Sequence, residues 1–178
     1  MYDKLNENRG ILNDYDLAHL AERDRPIGFG RTGTMPFMAL DLLAYKAWKG
    51  EIEQRYRHDC ESFAWVLLWI CCRYEDGKEI PNAPLSELIT DDYNRCYGAK
   101  LGVIGELKQI APTPSYKEYW DVSVKLVNEF FKDQSDRVYK VNKGQSLSEP
   151  KDCDVVQRCR EALKGKGVPI FADPSKGR

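Results

Sequence analysis

The strongest pattern along the chain is a run of apolar residues from Phe63 to Cys72, preceded by the polar stretch Tyr56–Ser62. Phe63, Trp65, Val66, Leu67, Leu68, Trp69 and Ile70 point in every direction around a helical wheel. The spacing therefore predicts a helix over Asp59–Arg73 that must be covered on all sides. A second helix is predicted over Met38–Lys49, which is rich in Ala and Leu and has Pro36 near its start, where proline is tolerated. Further helical patterns cover Leu85–Cys96, Tyr116–Phe131 and Val155–Lys164. In the middle one, Trp120, Val124, Leu126, Val127, Phe130 and Phe131 form a stripe of the kind that packs into a core.

The remaining segments read as connections. Asn6–Gly10 carries turn residues, and Ile11-Leu12-Asn13 after it is short and β-like. His19–Gly33 is polar, with Pro26 and three glycines, and reads as a long loop. Tyr74–Pro84 and Lys132–Asp152 are also assigned to loops. The fold class is mainly α, with a short β-structure at the N-terminus.

Composition narrows the class of protein. Of 178 residues, 42% are hydrophobic and 31% charged, which suits one globular domain. A formal net charge of −1 offers no general attraction for nucleic acid or an anionic membrane. The apolar run is ten residues long, whereas a bilayer span needs about 20. No signal-peptide pattern opens the sequence, so an intracellular protein of cytoplasm or nucleus is expected, its thiols reduced. The six cysteines contain no CxxC pair, which argues against a structural zinc site. Residues 166–178 read as a polar, basic and solvated tail.

Two motifs look chemical and fail in context. Gly28–Gly33 matches GxGxxG, with Lys46 where a phosphate-pairing lysine could stand. But Glu22–Arg25 is not strand-like, and Thr34–Lys46 is rich in Met, Ala and Leu and contains Pro36. Asp14-x-Asp16 opens like a calcium loop, but Ala18 stands at the next ligand position and the glycine of the sharp turn is missing.

A third constellation is more specific because three pieces come in order. Asn13-Asp14-Tyr15-Asp16-Leu17-Ala18 follows the β-like segment. Gly33-Thr34-Met35-Pro36-Phe37-Met38-Ala39-Leu40-Asp41 comes next, and Tyr56-Arg57-His58-Asp59-Cys60-Glu61-Ser62-Phe63 opens the apolar helix. They resemble the metal-binding DFG motif, the GT…APE end of the activation segment, and the start of the central C-lobe helix of protein kinases. The variant forms resemble those of the fungal-type protein kinase family, from about Met1 to Lys132.

That resemblance implies a protein-kinase-like C-lobe over residues 1–165, in a family that moves the γ-phosphoryl group of ATP to protein Ser/Thr hydroxyls. It implies roles as well. Asp14 matches the carboxylate that binds Mg²⁺ against the ATP phosphates, and Tyr15 the hydrophobic plug beside it. Thr34 matches the residue that faces the catalytic base. Asp41 stands at the APE glutamate, one methylene shorter, where the family has a structural ion pair. Asp59 matches a buried aspartate that accepts hydrogen bonds from the catalytic-loop backbone.

The phosphate-binding lysine strand, the αC glutamate and the HRD…N loop find no match in the sequence. Met1 therefore reads as an internal methionine, with those parts upstream, and no catalytic set is complete. The chain alone is expected to be inactive and to hold neither Mg²⁺ nor ATP tightly. The alternative is a non-catalytic helical interaction module, a pseudokinase remnant, whose protein partner is unspecified. With the upstream helices of a whole kinase missing, an apolar patch is expected beside Trp65 and Trp69, where those helices would pack.

Overall fold

A computed structural model describes residues 33–44, 52, 54–146 and 152–163. The chain divides into two units, Met1–Thr32 and Gly33–Arg178, and every described residue belongs to the second. The N-terminal β-like segment, Asp14, Tyr15 and the basic tail 166–178 lie outside the described residues.

The described residues are mainly helical, with one small antiparallel sheet. The α-helices are α1 (Leu40–Leu43), α2 (Tyr56–Arg73), α3 (Tyr93–Glu106), α4 (Lys117–Asn142) and α5 (Asp152–Leu163). The strands are β1 (Tyr74–Glu75) and β2 (Lys78–Glu79).

α2 is the axis of the unit and packs most extensively on α4. Its Ala64, Trp65, Leu68 and Cys72 are buried with Leu85 and Leu88, Val103 and Leu107, and Val122, Leu126 and Val127 of α4. Each large apolar side chain buried in this way contributes about 1.5–3 kcal/mol. A second cluster holds Met38, Ala39, Leu42 and Leu43 against Cys96 of α3.

Several boundaries differ from the sequence reading. The helix expected over Met38–Lys49 is a 3₁₀ turn, Met35–Phe37, followed by the single-turn α1. Residues 45–49 lie outside the described residues. Leu85–Cys96 is not one helix. A 3₁₀ turn, Ser86–Leu88, precedes α3, which starts where Asp92 accepts a hydrogen bond from the Arg95 amide at 2.8 Å. α4 runs past Phe131 to Asn142, through residues assigned to a loop. It ends in a Schellman arrangement, with Gly144 at φ 68° and the Gly144 and Gln145 amides donating to Val141 and Lys140.

Tyr74–Pro84, also read as a loop, contains the β1–β2 hairpin. Tyr74 pairs with Glu79 and Glu75 with Lys78. Asp76 and Gly77, both at positive φ, form its two-residue turn.

α2 is not covered on every side. Phe63 is 66% and Tyr56 44% exposed, seven positions apart on one face. Trp65, by contrast, is 2% exposed. The Arg73 guanidinium lies 4.0 Å from the Trp69 ring centre, and Phe37 meets that ring edge-on at 5.4 Å. Trp65 is therefore covered and Trp69 half-buried, and the most open apolar positions of α2 are Tyr56 and Phe63.

Candidate functional site

Residues Gly33–Leu43 form a short irregular segment that α2, α3 and α4 hold from three directions. Gly33 opens it at φ 149°, a conformation an L side chain rarely adopts. A Cβ there would stand 3.2 Å from Met38 Cγ. The last glycine of the GxGxxG string thus has a backbone reason that involves no phosphate. Pro36 sits in the 3₁₀ turn, and the Phe37 amide donates to the Thr34 carbonyl at 2.8 Å.

Two buried charged side chains clamp the segment's backbone. Glu61 Oε1 accepts the Leu40 amide at 2.8 Å and the Trp65 indole N–H at 3.2 Å. Lys100 Nζ of α3 donates to the Met38 carbonyl at 2.5 Å and lies 4.1 Å from the centre of the Trp65 ring. Burial pushes the Glu61 carboxyl up, opposed by the Lys100 charge and the Leu40 and Trp65 donors. Burial pulls Lys100 down to about 7, opposed by the Glu61 carboxylate. A charge in a dry interior is tolerated when an opposite charge and hydrogen bonds offset its lost hydration; each group feels the other's charge, and the hydrogen bonds come from the segment's backbone and the Trp65 indole.

Asp41 gathers the second anchor. Its Oδ2 accepts from Arg57 of α2 at 2.6 Å and from Arg137 of α4. His58 is fully buried, its Nδ1 accepts the Arg55 amide at 3.0 Å, and its Nε2 faces Asp41 Oδ2 at 3.6 Å. The network therefore assigns the ring proton to Nε2. Burial raises the Asp41 carboxyl, but His58, Arg137 and Arg57 outweigh it and hold it well below the usual carboxylate range. Burial lowers His58, which stays neutral near pH 7 despite Asp41.

The other sequence candidates are not drawn into this cluster. Thr34 is exposed, and its side chain caps nothing in the 3₁₀ turn. Asp59 is exposed too, accepting from Gln54 Nε2 at 3.2 Å. The resemblance implied a buried aspartate here, but the residue that the start of α2 buries is His58. Among the described residues no group of three or more His, Cys, Asp and Glu side chains is arranged to hold a metal ion.

Sequence reading missed Arg57, His58, Glu61, Lys100 and Arg137. Glu61 carried a signal, a carboxylate beside the longest apolar run, where only a paired charge is stable. Arg137 carried none, because its stretch was read as a loop. The cluster's chemistry is attachment. It fixes a segment that ends at Asp41 on the central helix and leaves Thr34 on the surface.

No curated protein and no solved structure matches the chain. A family model does match, that of the fungal protein kinase, over residues 1–71, which include the segment Gly33–Leu43 and most of α2. In this N-terminal stretch, with its NDYDLA, GTMPFMALD and YRHDCESF strings, the chain is similar to the fungal protein kinase family.

Proposed function

We propose that the chain is the C-lobe part of a fungal-type protein kinase domain, whose complete form transfers the γ-phosphoryl group of ATP to protein Ser/Thr hydroxyls. The observation that carries this reading is the attachment of Gly33–Leu43 to α2 and α4 through Asp41, Arg57 and Arg137. A phosphoryl transferase works mostly by positioning its reactants and neutralising charge. A rigidly held segment with one face open is the part that would position a protein substrate, and Thr34 stands exposed on it.

In this reading Asp41 anchors the segment, and Glu61 and Lys100 fix its backbone. Asp59 and the Tyr56–Phe63 face are open to a neighbouring part of the domain. Asp14 is the Mg²⁺ ligand, and Mg²⁺ would supply charge neutralisation at the ATP phosphates. Residues 1–178 contain neither a phosphate-pairing lysine strand nor an HxD…N loop, so this chain by itself is read as inactive. Incubating it with Mg²⁺-ATP and a generic Ser/Thr substrate is expected to give no turnover. Turnover that disappears in Asp14→Ala would overturn the inactivity.

The second reading, a non-catalytic interaction module, is favoured by one observation, the exposure of Phe63 on a helix that is otherwise well covered. The two readings part at the DNA before Met1. The kinase reading expects an HxD…N loop encoded there, and the module reading expects none.

A further inference from the structure

His58 lies in the first turn of α2, and its imidazole is fully buried. Nδ1 accepts a hydrogen bond at 3.0 Å from the amide of Arg55, the residue that caps the helix. The ring proton is then on Nε2, which stands 3.6 Å from Asp41 Oδ2 and makes no hydrogen bond. The ring therefore serves in its neutral form, as an acceptor at the helix start and a neighbour of the Asp41 anchor.

We propose that His58 is an acid-sensitive cap, whose protonation breaks the start of α2 and loosens the Asp41 attachment of the Gly33–Leu43 segment.

The geometry opposes a charged ring in several ways. A second ring proton falls on Nδ1, where the Arg55 N–H already points, so that a donor faces a donor. The charge sits at the N-terminus of an 18-residue helix, the positive end of its dipole. Burial denies it hydration. Among the described residues, the charged groups that face the ring are Asp41 of α1, Arg57 of α2 and Arg137 of α4. Asp41 favours the imidazolium, but its Oδ2 already takes both guanidinium groups, and these repel a third cation. Burial, the largest of these causes, holds His58 below its ordinary value of 6.5.

A folded state that refuses a proton which the unfolded chain accepts loses stability as pH falls. The loss begins near the ordinary value of 6.5 and grows on acidification until the folded ring is itself protonated. Burial also shifts Lys100, down to about 7, and Glu61, upward. The effect of His58 is therefore read as a difference between two proteins that both contain this pair.

The test melts the full chain at pH 7.5 and 5.5 beside His58→Gln. Glutamine at this position of a helix offers the Arg55 amide an acceptor that does not titrate. Over that range the wild-type folding constant should fall about tenfold more than that of the variant. In the wild type, exchange protection should fall together at the Arg55 amide and at the Leu42 amide, which bonds to the Ala39 carbonyl at 3.0 Å. A second measurement leaves His58 intact. In His19→Gln, which removes the chain's other histidine, the remaining ring should titrate below 6.5 by NMR. An equal pH dependence in wild type and His58→Gln, Leu42 protection indifferent to pH, or a folded ring titrating at its ordinary value or above would overturn the proposal.

Discussion

Asp41 is one methylene shorter than a glutamate, yet it reaches two guanidinium groups, one from α2 and one from α4. The α1 turn makes this possible by presenting Asp41 in its first turn, close to both helices. Asp41→Asn leaves both arginines short of an ionised acceptor, and hydrogen bonds to charged groups are worth about 1.5–3 kcal/mol. The expected loss at pH 7 is of that size, read as a drop in melting temperature of roughly 3–12 °C. The pH dependence follows from the sign of the shift. The folded carboxyl titrates below its unfolded value, so its contribution is complete above about pH 4–5 and fades as pH falls through the folded value. The gap between wild type and Asp41→Asn should therefore narrow on acidification to pH 3. A gap that stays constant would mean that Asp41 carries no such pairing.

Glu61 and Lys100 invite a double-mutant cycle. Lys100→Met leaves a buried carboxylate without its cation and should cost about 3–5 kcal/mol. Glu61→Gln keeps an oxygen for the Leu40 amide and the Trp65 indole. The double variant should therefore be more stable than the sum of the single losses predicts, by at least about 1 kcal/mol. Strict additivity in denaturant melts would exclude the pairing. Neither partner of this clamp was legible as a pair, because it joins residues of two helices whose packing no local pattern specifies. Glu61 hints at burial through the apolar run beside it, but Lys100 taken alone reads as a solvated helix face.

At the scale of elements, the differences between the expected and observed boundaries have local causes. The period and composition of Phe63–Cys72 announce α2, and its start differs from the expected one by only three residues. α3 was displaced because its three glycines, Gly98, Gly102 and Gly105, lower helix propensity. Burial of Cys96, Lys100 and Val103 on one face overrides that cost. The Asp92 cap, the Asp76-Gly77 hairpin turn and the Gly144 stop were legible and went unused. β1 and β2 owe their position to Arg73, which is buried at the end of α2. It donates from Nε to Glu79 at 3.1 Å, and its Nη1 meets the Pro84 carbonyl. Arg73→Ala should release the hairpin and the loop after it, at a cost of at least about 2 kcal/mol, with faster amide exchange at Ile80, which bonds back to the Arg73 carbonyl. Unchanged exchange there would show that the hairpin stands without Arg73.

At the scale of the molecule, the covering of α2 differs from its expected form. A helix apolar on every side demands a partner on every side. Lys100 lies over Trp65, and Phe37 and Arg73 cover Trp69. What remains open is Tyr56 and Phe63. Phe63→Ser should lower the binding of a hydrophobic dye while changing stability by no more than about 0.5 kcal/mol, because the side chain leaves no cavity. A large fall in melting temperature would place Phe63 in a core.

The central claim is that the Gly33–Leu43 segment and α2 are parts of a phosphoryl-transfer domain. The most direct measurement is Ser/Thr phosphorylation by an extended chain in which residues 1–178 follow a protein-kinase N-lobe and an HxD…N loop. The account predicts turnover with Mg²⁺-ATP that residues 1–178 alone do not give, abolished by Asp14→Ala and lowered by Asp41→Asn. An extended chain that folds and still transfers no phosphoryl group, or one whose activity is indifferent to Asp14, would contradict it.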